Sequence, residues 1–276
     1  MKIMQLWRLV ALLLWLVLIG SGCTSRKSEA TSIDAINQEI ADSFRTHNLD
    51  FVKQAISQGK REARDSDAYY NFVVQDIIRY FYTAQLDSVL LSADSVIHYL
   101  SGKPYSKLRN DLMIKCMQAK GLYYTQYAFQ ADSMLFYQKE ACRYAERGGD
   151  ENDRLLSYAN LADAYKFGGD LSMSAMTYRQ AIALADSIQA DTASYIPLYS
   201  GLAATYTTLR DFGQSKIWWD KCDRLWNLMT VYDRFNYLNS RGNDYFYQKD
   251  YRRALETFLR LDTFLLAYPD MEWEIH

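Results

Sequence analysis

Apolar side chains recur at spacings of three and four along most of this chain, which predicts amphipathic helices rather than strands. Leu155, Tyr158, Leu161, Ala162 and Tyr165 form one such stripe, and the run 171–188 carries another on Met176, Tyr178, Ala181, Ile182 and Ala185. Between them stands Phe167-Gly168-Gly169-Asp170, where glycine supplies a left-handed end to the first helix and aspartate an N-cap for the second. Asp211 and Asp250 hold the same place further on. The predicted unit is a helix, a short turn and an antiparallel helix.

The unit recurs. Tyr124, Tyr165, Tyr206 and Tyr245 are separated by 41, 41 and 39 residues. Three residues before each stands a small residue: Gly121, Ala162, Ala203 and Gly242. Nine after each come Ser133, Ser174, Ser215 and Ala254, and thirteen after each come Tyr137, Tyr178, Trp219 and Phe258. Small residues let two helices approach closely, and the aromatics fill the space between neighbouring pairs. One helix pair cannot bury its apolar face alone, so such pairs gain stability by stacking.

These columns resemble the tetratricopeptide repeat (TPR). With Tyr165 at the repeat's position eleven, Leu161 and Ala162 take positions seven and eight, Ser174 position twenty, Tyr178 position twenty-four and Ala181 position twenty-seven. The unit around Tyr124 departs, since Glu140 stands at position twenty-seven with Ala141 after it, which implies a shifted second helix. The resemblance implies an all-α, right-handed TPR-like solenoid of about six antiparallel helix pairs. Its clear repeats cover 111–268, and divergent helical repeats cover 33–110, broken at His47-Asn48-Leu49-Asp50 and near Asp87. Residues 269–276 would start a further repeat at Pro269. Phe258, Leu261, Phe264 and Leu265 are expected to form an apolar end face suited to self-association. The family binds peptides in the groove of its first helices. That implies ligand positions at Lys115, Gln118 and Leu122, at Ala159, Asp163 and Lys166, and at Asn239, Asn243, Phe246 and Tyr247. Asn239 and Asn243 lie four apart on one helical face and would clamp an extended backbone.

The start of the chain reads as an address. Lys2 and Arg8 precede eleven unbroken apolar residues, Leu9 to Ile19, and then Gly20-Ser21-Gly22-Cys23. Eleven residues of helix span about 16 Å, against a hydrocarbon core of about 30 Å. These are the parts of a signal peptide over 1–23, and Cys23 resembles the acylated cysteine of a bacterial lipoprotein; the alternative is a secreted protein cut nearby, with Cys23 incidental and not lipidated. Residues 24–32 are polar and read as a flexible tether. The combination is similar to periplasmic TPR proteins of Bacteroidetes-like bacteria, which implies a membrane-anchored protein of the cell envelope facing the periplasm.

Composition narrows the function further. Only Pro 3 and Gly 12 occur in 276 residues, too few turn formers for an all-β fold. Without Lys2 and Arg8, 29 basic residues face 33 acidic ones, and no basic surplus supports nucleic-acid binding. His47, His98 and His276 are far apart, and Asp150-Glu151-Asn152-Asp153 lacks the alternation of a calcium loop, so no metal site and no cofactor is expected. No phosphate loop or nucleophile elbow is present. Cys222 reads as a small core residue, and Cys116 and Cys142 lie where a first helix and its partner could bring them near. The expectation is a non-catalytic scaffold binding a protein or peptide. The alternative is the periplasmic sensor portion of a longer signalling protein.

Overall fold

The computed structural model describes residues 32–45, 48–83 and 85–267, and every regular element among them is helical. Twelve α-helices follow one another: α1 (Ser32–Arg45), α2 (Leu49–Glu62), α3 (Ser66–Tyr82), α4 (Leu86–Leu100), α5 (Lys107–Tyr123), α6 (Ala131–Gly148), α7 (Glu151–Phe167), α8 (Leu171–Ser187), α9 (Tyr195–Thr208), α10 (Phe212–Asp223), α11 (Val231–Tyr247) and α12 (Tyr251–Leu266). The fold is all-α and solenoid-like, with the consecutive pairing expected from the repeat. The expected signal peptide, Cys23, nearly all of the tether and the segment 269–276 lie outside the described residues, although Ser32 already belongs to α1. No helix of the described residues is long and apolar enough to cross a membrane.

The turn inside each pair shows why the units repeat. The N-caps of α2, α4, α8, α10 and α12 are Asn48, Gln85, Asp170, Asp211 and Asp250, with φ between −84° and −86° and ψ between 64° and 76°. Each cap's backbone N–H donates to the carbonyl five residues back, on Ser43, Tyr80, Tyr165, Tyr206 and Tyr245, at 2.9–3.0 Å. The Asp170, Asp211 and Asp250 carboxylates each accept a backbone N–H three residues on, at 3.0 Å. Gln85 makes no such bond. Gly169, Arg210 and Lys249 just before these aspartates have φ of 86°, 63° and 63°, the left-handed bend that ends the first helix.

The pair α5–α6 departs by one residue. Tyr124–Ala128 forms a π-turn, Phe129 takes the left-handed bend, and Gln130 N–H reaches the Tyr124 carbonyl six residues back. The shift moves the whole second helix in register. Met134, Gln138 and Ala141, all buried, stand where the next pair has Ser174, Tyr178 and Ala181. The expected columns at Ser133 and Tyr137 are therefore off by one here, and Tyr137 instead stacks on Tyr124 at 5.5 Å. The shift foreseen from Glu140 and Ala141 is present, and a single-residue π insertion causes it.

By contacts the chain divides into two compact units between Asn160 and Leu161, within α7. In residues 32–160 each helix from α1 to α6 packs on the next, and α3 also packs on α5. Polar side chains tie first helices to one another. Asn71 Nδ2 donates to Asn37 Oδ1 at 2.9 Å, and Arg109 holds Asp67 at 2.9 Å while Tyr99 donates to the same carboxylate at 2.6 Å. Gly121 is bare because a Cβ there would lie 2.4 Å from Gln138.

In residues 161–267 α8 packs on α9, α9 on α10, α11 on α12, and α9 also on α11. Trp219 is fully enclosed with Ile196, Ala203, Cys222 and Met229, and Tyr237 meets its ring edge-on at 5.7 Å. A Cβ on Gly242 would lie 2.6 Å from Phe258, the same small-against-large contact as Gly121 with Gln138. Ala162 and Ala203 are fully buried, and Tyr206 is buried while Tyr165 and Tyr245 are half-buried.

One acidic pair gives a pH-dependent expectation. Asp153 N–H donates to Asp150 Oδ1 at 2.7 Å, and Asp150 N–H donates back to Asp153 Oδ2 at 3.3 Å. Burial, and then the neighbouring Asp150 charge, push the Asp153 carboxyl up to about 6. Between about pH 4 and 6 the folded chain thus holds a proton that the unfolded chain has released. Stability from this group is present at low pH and is lost as pH rises through that window. Asp153→Asn should flatten this part of the slope in denaturant melts at pH 4.5, 5.5 and 7. An unchanged slope would show that Asp153 titrates normally.

Candidate interaction surface

The residues expected to line a groove do not share one fate. Gln118 is buried, and its Nε2 donates to Ser157 Oγ at 2.9 Å. Leu122 and Ala159 are buried and Lys115 is half-buried. Asp163 is buried and accepts from the Tyr178 hydroxyl at 2.7 Å and from Lys166 Nζ at 2.5 Å on the same oxygen. Burial of the ring, and then the charge on Asp163, raise the Tyr178 hydroxyl well above its usual range. Asn239 is 4% exposed, with an enclosed Nδ2 that meets no acceptor, whereas Asn243 is half-buried. The amide clamp is thus corrected: one of its two amides is shut inside the helix packing, where an extended backbone cannot reach it. Gln118 and Asp163 are corrected in the same sense, because their polar atoms satisfy other side chains of their own units.

Phe246 and Tyr247 are exposed, and they are brought together with a residue not anticipated from sequence, Tyr251. The Phe246 ring lies 6.1 Å from Tyr247 and 5.6 Å from Tyr251, both edge-on. The bend at Lys249 and the Asp250 cap bring the end of α11 and the start of α12 into this cluster. Arg210, on the preceding turn, sits 4.3 Å above the Tyr247 ring and donates to its carbonyl at 3.3 Å. A guanidinium over a ring adds cation–π attraction and holds the tyrosine in place. Phe167, at the same place on α7, and Leu209, just after the end of α9, are exposed as well.

Two further sets of exposed apolar residues were not foreseen. One lies six residues after the N-cap of successive second helices: Leu91 and Phe136 within 32–160, and Met176 and Ile217 within 161–267. Met176 fits the helical apolar period, but the helix turns it outward. Phe136 enters this column only once the π-turn is known. The other set is on α12. The expected end face is corrected there, for Leu261 is buried against Phe235 and Leu238, and Phe258, Phe264 and Leu265 pack around them. The residues left outside are Tyr251, Leu255, Leu259 and Leu266.

Among the described residues the cysteines offer no reactive thiol. Cys116, Cys142 and Cys222 are free and buried, and burial pushes the Cys142 thiol up to about 12. A thiolate is the reactive form, so these side chains act as small apolar groups. No protein-family model matches the chain, and no curated protein matches it.

Proposed function

We propose that this chain is a non-catalytic interaction scaffold of the bacterial cell envelope, a tetratricopeptide-type array that takes a peptide or protein segment on its helix ends. The observation that carries this reading is the exposed Phe246–Tyr247–Tyr251 cluster, fixed by a capped turn and by Arg210. Aromatic side chains supply large contact area at little cost in conformational entropy, and such anchors dominate most protein interfaces. A partner segment with one apolar side chain packs on the exposed outer faces of Phe246 and Tyr247, and the half-buried Asn243 lies one turn back along α11.

Anchoring rests on the sequence alone. In this reading the first 23 residues direct export and Cys23 carries the lipid, which leaves the helices facing the periplasm. Two acyl chains give stable attachment where one gives only marginal binding.

The test uses the full chain in its native envelope. After chemical crosslinking, Phe246→Ala with Tyr247→Ala should lower recovery of the co-captured protein at least tenfold, with the helical signal unchanged. Recovery equal to that of the unsubstituted chain would place binding elsewhere. Cys23→Ala should move the chain from the membrane to the soluble fraction, and retention in the membrane would refute the lipid anchor.

A further inference from the structure

Helix α12 breaks a rule that the other second helices keep. Nine residues after the N-cap, α2, α4, α6, α8 and α10 carry Ser57, Asp94, Lys139, Arg179 and Asp220, all polar, whereas α12 carries Leu259. With Tyr251, Leu255 and Leu266 it makes one stripe of side chains that are 56–75% exposed. Spacings of four keep the first three on one face over about 12 Å of helix. A following repeat would leave Leu255, at the centre of the stripe, uncovered. In α10, which α11 and α12 do follow, the equivalent position Lys216 stays exposed, while Asp220 is half-buried. The stripe therefore needs an occupant from outside the array.

The flanks of the stripe point to what that occupant is. From its cap onward α12 carries Arg252, Arg253 and Arg260 against Asp250, Glu256 and Asp262, a neutral set of mixed sign in which Arg252 pairs with Glu256 and Arg253 with Asp250. Acidic side chains beside a narrow stripe disfavour a membrane surface, whose anionic headgroups reward a basic face. A neutral, mixed edge suits a copy of itself. In an antiparallel pair related by a two-fold axis near residue 254, Leu255 meets Leu255 of the second copy. Tyr251 then enters between that copy's Leu255 and Leu259, which leaves Phe246 and Tyr247 of the aromatic cluster free for the partner segment. Arg252 and Glu256, on one edge of the stripe, fall level with Glu256 and Arg252 of the second copy. The contact is isologous and closes after two copies, as a two-fold interface must.

We propose that the outer stripe of α12 is a homodimer interface, with α12 lying antiparallel on the α12 of a second copy. The experiment is disulfide trapping of the full chain in its native envelope with Leu255→Cys, beside the axis. The unsubstituted chain, with Cys23 and three buried cysteines, sets the background. Leu255→Cys should give a covalent dimer, and Leu259→Glu added to it should abolish that dimer. Leu259 is exposed, so this change should leave the helical signal unchanged. Arg252→Glu alone or Glu256→Arg alone should reduce the dimer severalfold, and the two together should restore it. A chain that stays monomeric, that links to a different polypeptide, or that dimerises equally with Leu259→Glu would overturn the proposal.

Discussion

Asp244→Ala is expected to cost about 3–5 kcal/mol in the unfolding of residues 161–267, the range for removing one member of a buried ion pair. The Asp244 carboxylate is fully enclosed. One oxygen accepts from Thr207 Oγ1 at 2.6 Å and from Ser215 Oγ at 2.8 Å. The other accepts from Arg241 Nη1 at 2.9 Å and from Gln248 Nε2 at 2.8 Å. These donors come from α9, α10, α11 and the turn after it, so one side chain fastens three helices. Removing it leaves the buried Arg241 charge without its carboxylate and the Thr207 and Ser215 hydroxyls with only each other. Asp244→Asn keeps an acceptor for the hydroxyls but turns an amide toward Arg241 or Gln248, and should fall between the two. Urea melts of the three proteins should give this order, and an Asp244→Ala loss below about 1 kcal/mol would show that water replaces the carboxylate.

Trp219→Ala should be of comparable size, about 3–5 kcal/mol, because it empties the largest fully buried site among the described residues. Its ring contacts Tyr237 and lies 5.5 Å from the Arg241 guanidinium, so the change also strips one wall from the Asp244 hub. The two losses should therefore not add. A double-mutant cycle in the same melts should show a coupling of about 0.5–3 kcal/mol, as for residues that share a network. Additive losses would mean that packing around Trp219 and the carboxylate hub stabilise the unit independently.

The turn chemistry was legible in sequence, since Gly169-Asp170 names both the left-handed bend and the cap, and Asp211 and Asp250 repeat the cap. The six helix pairs were legible for the same reason, down to the break at Asn48. The π-turn was not, because no residue type marks an extra residue in Tyr124–Ala128; only its consequence, Ala141 one place late, could be read. Groove residues were legible only in part. Polarity does not say whether a side chain faces water or a buried partner, and Gln118 and Asp163 found partners inside. Apolar character is equally silent about direction. Both faces of α12 carry leucines, and only the packing of Leu261 on Phe235 and Leu238 decides which face is left outside.

The claim that a partner docks on the aromatic helix ends is tested most directly by a photo-activated crosslinking residue placed at Phe246, compared with the same residue at Lys216 on the outer face of α10. Irradiation of the intact envelope should give a discrete adduct with another polypeptide from position 246 and none from position 216. Adducts of the same mass from both positions, or none from position 246, would contradict the account.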